Sequence, residues 1–207
     1  MASTSHVRPA TIPNQRRCFV TIGATASFRS LISVCLQPSF VQALDKHGFT
    51  ELRIQYGKGG QELFDDLSKG LNQAALGTWV EISGFDINVN GLTSELRAVK
   101  ASQDVSEGLV ISHAGSGTIL DAMRLDVPLI VVPNPELLDN HQIELAEVFS
   151  DQGYLVYGEL RNLPKALDDS KLLRRKQKEQ INVNTGRPVV PVEPRSIMEY
   201  EMGFSLE

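Results

Sequence analysis

The sequence contains 207 residues, of which 42% are hydrophobic and 22% are charged. This composition is ordinary for a soluble globular protein with one substantial core. The net charge of −5 argues against nucleic acid as a partner, because proteins that bind a phosphate backbone usually carry a basic face.

The cysteines and the N-terminal residues indicate the cellular compartment in which the protein is expected. Cys18 and Cys35 stand among apolar residues, and no second pair accompanies them, so neither a disulfide framework nor a zinc site is predicted. No apolar run approaches the length of a membrane span, and residues 1–15 lack the apolar stretch of a secretory signal. We expect a cytosolic protein, or one held on a membrane by another component.

Apolar runs and helix breakers predict the elements of the first half of the chain. Residues 1–16 are polar and predict a disordered arm, and a buried strand follows at 17–23. A helical stretch at 28–44 is expected to break at Pro38. The further predicted elements are a strand at 52–56, a short helix near 62–67, and two brief strands, 79–82 and 85–89, separated by Ser83 and Gly84.

The second half continues the alternation of strands and helices. The predicted elements are helices at 94–102, 116–125 and 140–149, and strands at 108–112, 127–133 and 154–157. Short strands that alternate with helices are typical of a doubly wound parallel sheet. The sequence therefore predicts an α/β, Rossmann-like domain over residues 17–167.

The character of the chain changes at residue 168. Basic residues crowd together here, and we interpret them as a solvated helix: Lys171, Arg174, Arg175, Lys176 and Lys178. A proline-bearing linker follows at 182–194. The apolar residues at 197–206 are expected to dock on a partner, so residues 168–207 are predicted to form a basic helix, a linker and a docking tail.

The most informative segment is a glycine turn between a predicted strand and a predicted helix. Gly115 and Gly117 would let the backbone approach a diphosphate, and Ser116 and Thr118 add hydroxyl donors. Free N–H groups and the dipole at the start of the helix favour an anion there. The alternative is a capped helix whose glycines serve only the turn.

One carboxylate follows the glycine turn at a distance that suggests a nucleotide. Asp121 lies about one turn into the same predicted helix, where it could accept hydrogen bonds from ribose hydroxyls. The alternative is an ordinary exposed helix acid.

Two other turns are expected at the same edge of the sheet. The segment after the strand at 127–133 is dense in polar groups suited to sugar hydroxyls, among them Asn134, Asn140, His141 and Gln142. One of its residues, Asp139 or Asn140, is also a natural helix cap. Gly23 and Thr25, after the first strand, would face the same crevice.

Other common catalytic motifs are missing from the sequence. There is no G-x-G-x-x-G, no Walker P-loop, no G-x-S-x-G and no H-E-x-x-H. The D-x-D motif of metal-dependent glycosyltransferases is also missing, so we predict neither a metal nor a cofactor.

Four motifs in order resemble the Alg13 family, the catalytic subunit of the dolichyl-diphosphate N-acetylglucosaminyltransferase. They are FVTIGAT at 19–25, ISHAGSGT at 111–118, PLIVVP at 128–133 and DNHQIELA at 139–146. The resemblance covers about residues 17–160. More distantly the chain is similar to MurG, which implies a fold equivalent to the C-terminal, donor-binding half of a GT-B glycosyltransferase.

The resemblance implies roles for individual residues. The glycine turn from Gly115 to Thr118 would bind the diphosphate, Asp121 the ribose, and His141 and Gln142 the sugar. Thr25 is assigned less directly, because the spacing before Phe28 differs from the family pattern.

The resemblance also implies a reaction and partners. GlcNAc would pass from UDP-GlcNAc to GlcNAc-diphospho-dolichol with inversion, at the cytosolic face of the endoplasmic reticulum, in complex with a membrane-anchored, acceptor-binding, Alg14-like subunit. His113 is a candidate for the general base, and a residue of the partner is equally plausible. The alternative is a noncatalytic UDP-sugar-binding regulatory module.

Overall fold

The structure is a computed structural model that describes residues 14–24, 26–71, 76–135 and 141–183. Side chains are described for the same residues except 141, 142 and 181–183. Nearly all of the predicted arm and the whole predicted docking tail lie outside the described residues.

Six parallel strands form one sheet with the order β3-β2-β1-β4-β5-β6. They are β1 (Arg17–Thr21), β2 (Glu51–Gln55), β3 (Glu81–Phe85), β4 (Leu109–Ser112), β5 (Leu129–Val131) and β6 (Val156–Tyr157). The order steps outward from β1 to β3 and then returns to place β4 beside β1. A doubly wound, Rossmann-like sheet is confirmed, with its switch point between β1 and β4.

Helices cover both faces of the sheet. They are α1 (Arg29–Cys35), α2 (Pro38–Lys46), α3 (Gln61–Gly70), α4 (Thr93–Arg97), α5 (Ser116–Arg124), α6 (His141–Asp151) and α7 (Leu163–Val183). The predicted break falls where expected, because Pro38 is the first residue of α2. A proline at this position loses no helical hydrogen bond.

Alternation along the strands divides the core into two layers. Val20 and Ile111 belong to the layer beneath α1, α2, α3 and α7. Phe19 and Val110 point the other way, into the layer beneath α4, α5 and α6. The helices that follow β1 and β4 therefore lie on opposite faces, which leaves a crevice between the turns 22–24 and 113–115.

One predicted break in the sheet is wrong. Residues 81–85 form a single strand that runs through Ser83 and Gly84, with Gly84 paired to Ile54 in the ladder. The Phe64 ring lies on this glycine, so that a Cβ at Gly84 would come within 2.8 Å of the ring. Gly84 makes room for an aromatic ring from α3 and does not end the strand.

The basic helix also differs from the prediction. Helix α7 begins at Leu163, before the predicted change at residue 168. Arg174 is not a solvated side chain, because it donates hydrogen bonds to Glu107 at 2.8 Å and to Asp126 at 2.8 Å.

None of the helices in the described part of the chain combines the length and the apolar character of a membrane span.

Candidate functional site

The two central strands bring their carboxyl-terminal turns side by side. Thr21 and Ser112 are paired in the register of β1 and β4, and each is the last residue of its strand. Gly23 and His113 therefore follow at the same edge of the sheet. Ligands of open α/β sheets bind at such a switch point.

Helix α5 begins in this crevice without a side-chain cap. Gly115 is its N-cap and makes no side-chain cap hydrogen bond. The first amides of a helix have no acceptor within it, so the N–H groups of Ser116, Gly117 and Thr118 are available to an anion. Ser116 and Gly117 are exposed and Thr118 is half-buried. A Cβ at Gly117 would meet nothing within 4 Å, so a ligand can approach this backbone closely.

The imidazole of His113 fills the space between the two glycine turns. A Cβ at Gly23 would lie 2.7 Å from Nε2 of His113, and a Cβ at Gly115 would lie 2.6 Å from Cε1 of the same ring. Gly23 also has a φ of +76°, which favours glycine by itself. Gly115 has a φ of −80°, so steric contact with His113 explains the glycine at that position.

The protonation of His113 follows from its surroundings. Burial lowers the pKa of its imidazole below the usual value. Nδ1 is buried and has no hydrogen-bond partner among the described residues. The ring is therefore neutral at neutral pH, which is the state required of a general base.

Three buried polar residues at strand ends, Thr21, Gln55 and Ser112, are not among the predicted site residues. Thr21 donates its hydroxyl to Oε1 of Gln55 and accepts a hydrogen bond from the Gly23 N–H at 3.1 Å. The Ser112 hydroxyl donates to the His113 carbonyl at 2.8 Å. The sequence signal that could have identified them is a polar residue at the end of an otherwise apolar strand, because a buried polar side chain requires a hydrogen-bond partner.

Asn134 joins the turn after β5 to the loop before α1. It is 5% exposed, and Nδ2 donates to the Ser27 carbonyl at 3.1 Å. Its amide nitrogen is thus engaged by the protein. Asn134 holds together two of the turns that surround the crevice, and its role as a sugar ligand stays a prediction.

Asp121 lies in α5, on the helix that begins in the crevice. Its side chain is 51% exposed and lies 3.4 Å from Arg124, one turn further on. An exposed pair of this kind contributes little to stability. The carboxylate is therefore accessible to a ligand.

The remaining predicted site residues are only partly described. Thr25 and Asn140 lie outside the described residues, as does Asp139. His141 and Gln142 are the first two residues of α6, and their backbone follows β5 at the same edge of the sheet. Among the described residues, no group of three or more His, Cys, Asp and Glu side chains could hold a metal ion.

A second cleft lies at the amino-terminal ends of the strands, across the sheet from the crevice. It has a volume of about 530 Å³ and is lined by Arg16, His47, Glu107, Pro128 and residues of α7. Pro128 and Leu109 stand at the amino-terminal side of β5 and β4. This cleft contains neither glycine turn, so the two sites can be distinguished experimentally.

Comparison with known families identifies the class of protein that this fold and site define. Residues 17–187 match the Glycosyltransferase family 28 C-terminal domain. The match begins at β1 and extends through α7.

Curated relatives of similar size define the family further. The UDP-N-acetylglucosamine transferase subunit ALG13 of Saccharomyces cerevisiae is 35% identical over 158 residues, which are 70% of this chain and 78% of the relative. The subunit of the same name from Cryptococcus neoformans is 38% identical over 159 residues, with the same two coverages, 70% and 78%. The chain therefore belongs to the ALG13 family of glycosyltransferase family 28 proteins.

Solved structures agree with the observed fold. An NMR solution structure of ALG13 superposes with a TM-score of 0.58 and 29% identity, over 90% of this chain and 94% of the other. Crystalline MurG of Acinetobacter baumannii gives a TM-score of 0.52 at 18% identity, over 83% of this chain and 43% of MurG. The second likeness shows the fold alone.

Proposed function

We propose that this chain binds UDP-GlcNAc in the crevice between β1 and β4 and transfers GlcNAc to GlcNAc-diphospho-dolichol with inversion. The observation that carries the proposal is the uncapped start of α5, with the accessible backbone at Ser116 and Gly117. The curated relatives, which are named UDP-N-acetylglucosamine transferase subunits, suggest the donor.

The proposed diphosphate contacts explain how the leaving group is stabilised. Negative charge develops on UDP as its bond to the sugar breaks. N–H groups that are already aligned at a helix start stabilise that charge without reorganising. We assign this role to the backbone of residues 115–118 and to the hydroxyls of Ser116 and Thr118.

The other donor contacts are proposed from position. Asp121 is accessible and lies on the same helix as the diphosphate turn, so we assign it to the ribose. His141 and Gln142 begin the helix after the next strand along the sheet, so we assign them to the sugar. Asn140 and Thr25 are proposed as additional contacts from the sequence alone.

His113 is our candidate for the general base from this chain. Its neutral imidazole can accept a proton from the acceptor hydroxyl. Contact with both glycine turns fixes its ring, and this supports a positioning role equally well. A carboxylate or histidine of the partner would perform the same step if His113 only positions the turns.

A partner subunit would supply what the described domain does not contain. The described residues form one six-stranded sheet, and the likeness to MurG covers only 43% of the MurG chain. The name of the relatives includes the word subunit. We propose that a membrane-anchored, Alg14-like subunit binds the lipid acceptor at the cytosolic face of the endoplasmic reticulum, and that residues 197–206 contact it.

The experiment is a transfer assay with UDP-GlcNAc and the GlcNAc-diphospho lipid, using the full chain alone, the partner alone, and both together. Transfer that requires both proteins, with a β-linked product from the α-linked donor, supports the proposal. Transfer by the partner alone, with UDP-GlcNAc binding by this chain, would show a noncatalytic regulatory module. Full transfer by this chain alone would contradict the need for a partner.

A further inference from the structure

Thr21 connects the turn after β1 to its two neighbouring strands. It is fully buried at the end of β1, and Gln55, beside it on β2, is 2% exposed. The Thr21 hydroxyl donates to Oε1 of Gln55 and accepts from the Gly23 N–H at 3.1 Å. Its backbone carbonyl accepts from the His113 N–H at 3.3 Å.

The chain of contacts continues to the start of α5. Gly23 and Gly115 both lie against the same edge of the His113 ring, at Cε1 and Nε2. The Gly115 N–H donates to the His113 carbonyl at 2.8 Å, and Gly115 is the N-cap of α5. A shift of the Gly23 turn must therefore move the His113 ring or the start of α5, because close-packed groups transmit displacement.

We propose that Thr21 and Gln55 are positioning residues that set the place of the diphosphate-binding turn from beneath it. This inference rests on the function proposed above. Both side chains are buried under the crevice, so they act through Gly23 and His113 and do not touch the donor. Their hydrogen bonds keep the two turns in register before the donor arrives, and preorganised donors bind an anion better than mobile ones.

Two substitutions of Thr21 separate the effect of its hydroxyl from the effect of its packing. Thr21→Val keeps the shape and the branched Cβ, but it leaves the Gln55 oxygen and the Gly23 N–H without their partner. Thr21→Ser keeps the hydroxyl. We expect Thr21→Val, which loses both hydrogen bonds of the hydroxyl, to weaken UDP binding to the full chain about tenfold, and Thr21→Ser to stay within about twofold of wild type.

A matched control is available in the loop before β3. Thr78 is also a buried threonine, 4% exposed, and its hydroxyl accepts the N–H of the residue two positions later, at 3.3 Å. It lies before β3, away from the crevice. Thr78→Val should leave UDP affinity unchanged. Gln55→Leu, which removes only the contact between Thr21 and Gln55, should weaken it by no more than Thr21→Val does, and the double variant should bind no worse than Thr21→Val.

Titration calorimetry with UDP, together with thermal unfolding of every variant, decides the outcome. Wild-type affinity in folded Thr21→Val would overturn the positioning inference and leave the proposed function standing. Equal losses in Thr21→Val and Thr21→Ser would assign the effect to packing and overturn it too. If Thr21→Val does not fold, Gln55→Leu decides by the same criteria. Wild-type protein that does not bind UDP would overturn the proposed function, and this inference with it.

Discussion

The imidazole of His113 occupies the space that a side chain at Gly115 would need. A Cβ at Gly115 would come within 2.6 Å of Cε1 of that ring, whereas a Cβ at Gly117 would meet nothing within 4 Å. Glycine is therefore needed at the two positions of this turn for different physical reasons. At Gly115 the missing side chain makes room for the His113 ring, and at Gly117 it leaves open space above the backbone.

Alanine at these two positions should separate stability from donor binding. Gly115→Ala should lower the free energy of unfolding by about 1–3 kcal/mol, because the His113 ring must move. Gly117→Ala should leave that free energy unchanged or raise it by up to about 1 kcal/mol, since alanine favours helix. Gly117→Ala should nevertheless weaken UDP binding. Urea unfolding and calorimetry measure the two effects, and equal stability of the two variants would contradict the steric explanation.

The burial of His113 should make stability depend on pH. The folded state disfavours the charged imidazole, so the unfolded chain binds more protons below the usual pKa of 6.5. Stability should therefore fall as the pH decreases from about 6.5 towards 5. His113→Asn should flatten this slope, although it lowers stability at every pH.

The control for that slope is the other described histidine with a shifted pKa. Burial lowers the pKa of His47, and Asp168, 3.2 Å from its Nε2, partly offsets this. A residual slope in His113→Asn should become smaller when His47 is also replaced. An unchanged slope between pH ~7 and ~5 in His113→Asn would show that His113 is not held neutral.

The proposed sugar contact predicts a difference between two ligands. Gln142→Ala should weaken UDP-GlcNAc binding while leaving UDP affinity nearly intact, because α6 follows the strand beyond the diphosphate turn. One lost hydrogen bond corresponds to roughly a fivefold to tenfold change in Kd. Equal weakening of both ligands would show that Gln142 is assigned to the wrong part of the donor.

Two neighbouring arginines of α7 should differ strongly in their contribution to stability. Arg174 is 14% exposed and bonded to Glu107, whereas Arg175 is 69% exposed and lies 3.8 Å from Glu179. Burial by itself raises the pKa of the Glu107 carboxyl, but hydrogen bonds from Arg174 and Lys178 outweigh burial and hold that pKa below its usual value. Arg174→Met should cost about 1–3 kcal/mol, and Arg175→Met less than about 0.5 kcal/mol. Similar losses in urea unfolding would contradict this difference.

The sequence predicts the sheet well, because apolar runs that end at Gly23 or Ser112 carry their own signal. It fails at Gly84, where the reason for glycine is a ring from another element, Phe64. It fails at Arg174 for the same reason, since Glu107 lies 67 positions away along the chain. Local patterns cannot show which distant side chain packs on a glycine or pairs with a charge.

The candidate site shows the same division. The anion-binding turn at 115–118 is predicted from neighbouring residues, since glycine, hydroxyl and helix start follow one another. The contacts beneath it join Thr21, Gln55 and His113 from three strand ends. Only the strand order places these residues together, so their role becomes visible in the fold.

Amide chemical shifts of the labelled full chain, recorded during titration with UDP-GlcNAc, would locate the donor site. We expect the largest shifts at Gly23, His113 and residues 115–118, at the carboxyl edge of β1 and β4. Residues at the opposite edge, such as His47 and Glu107 in the cleft beside α7, should keep their shifts. Largest shifts at His47 and Glu107, with none at residues 115–118, would contradict the donor site proposed here.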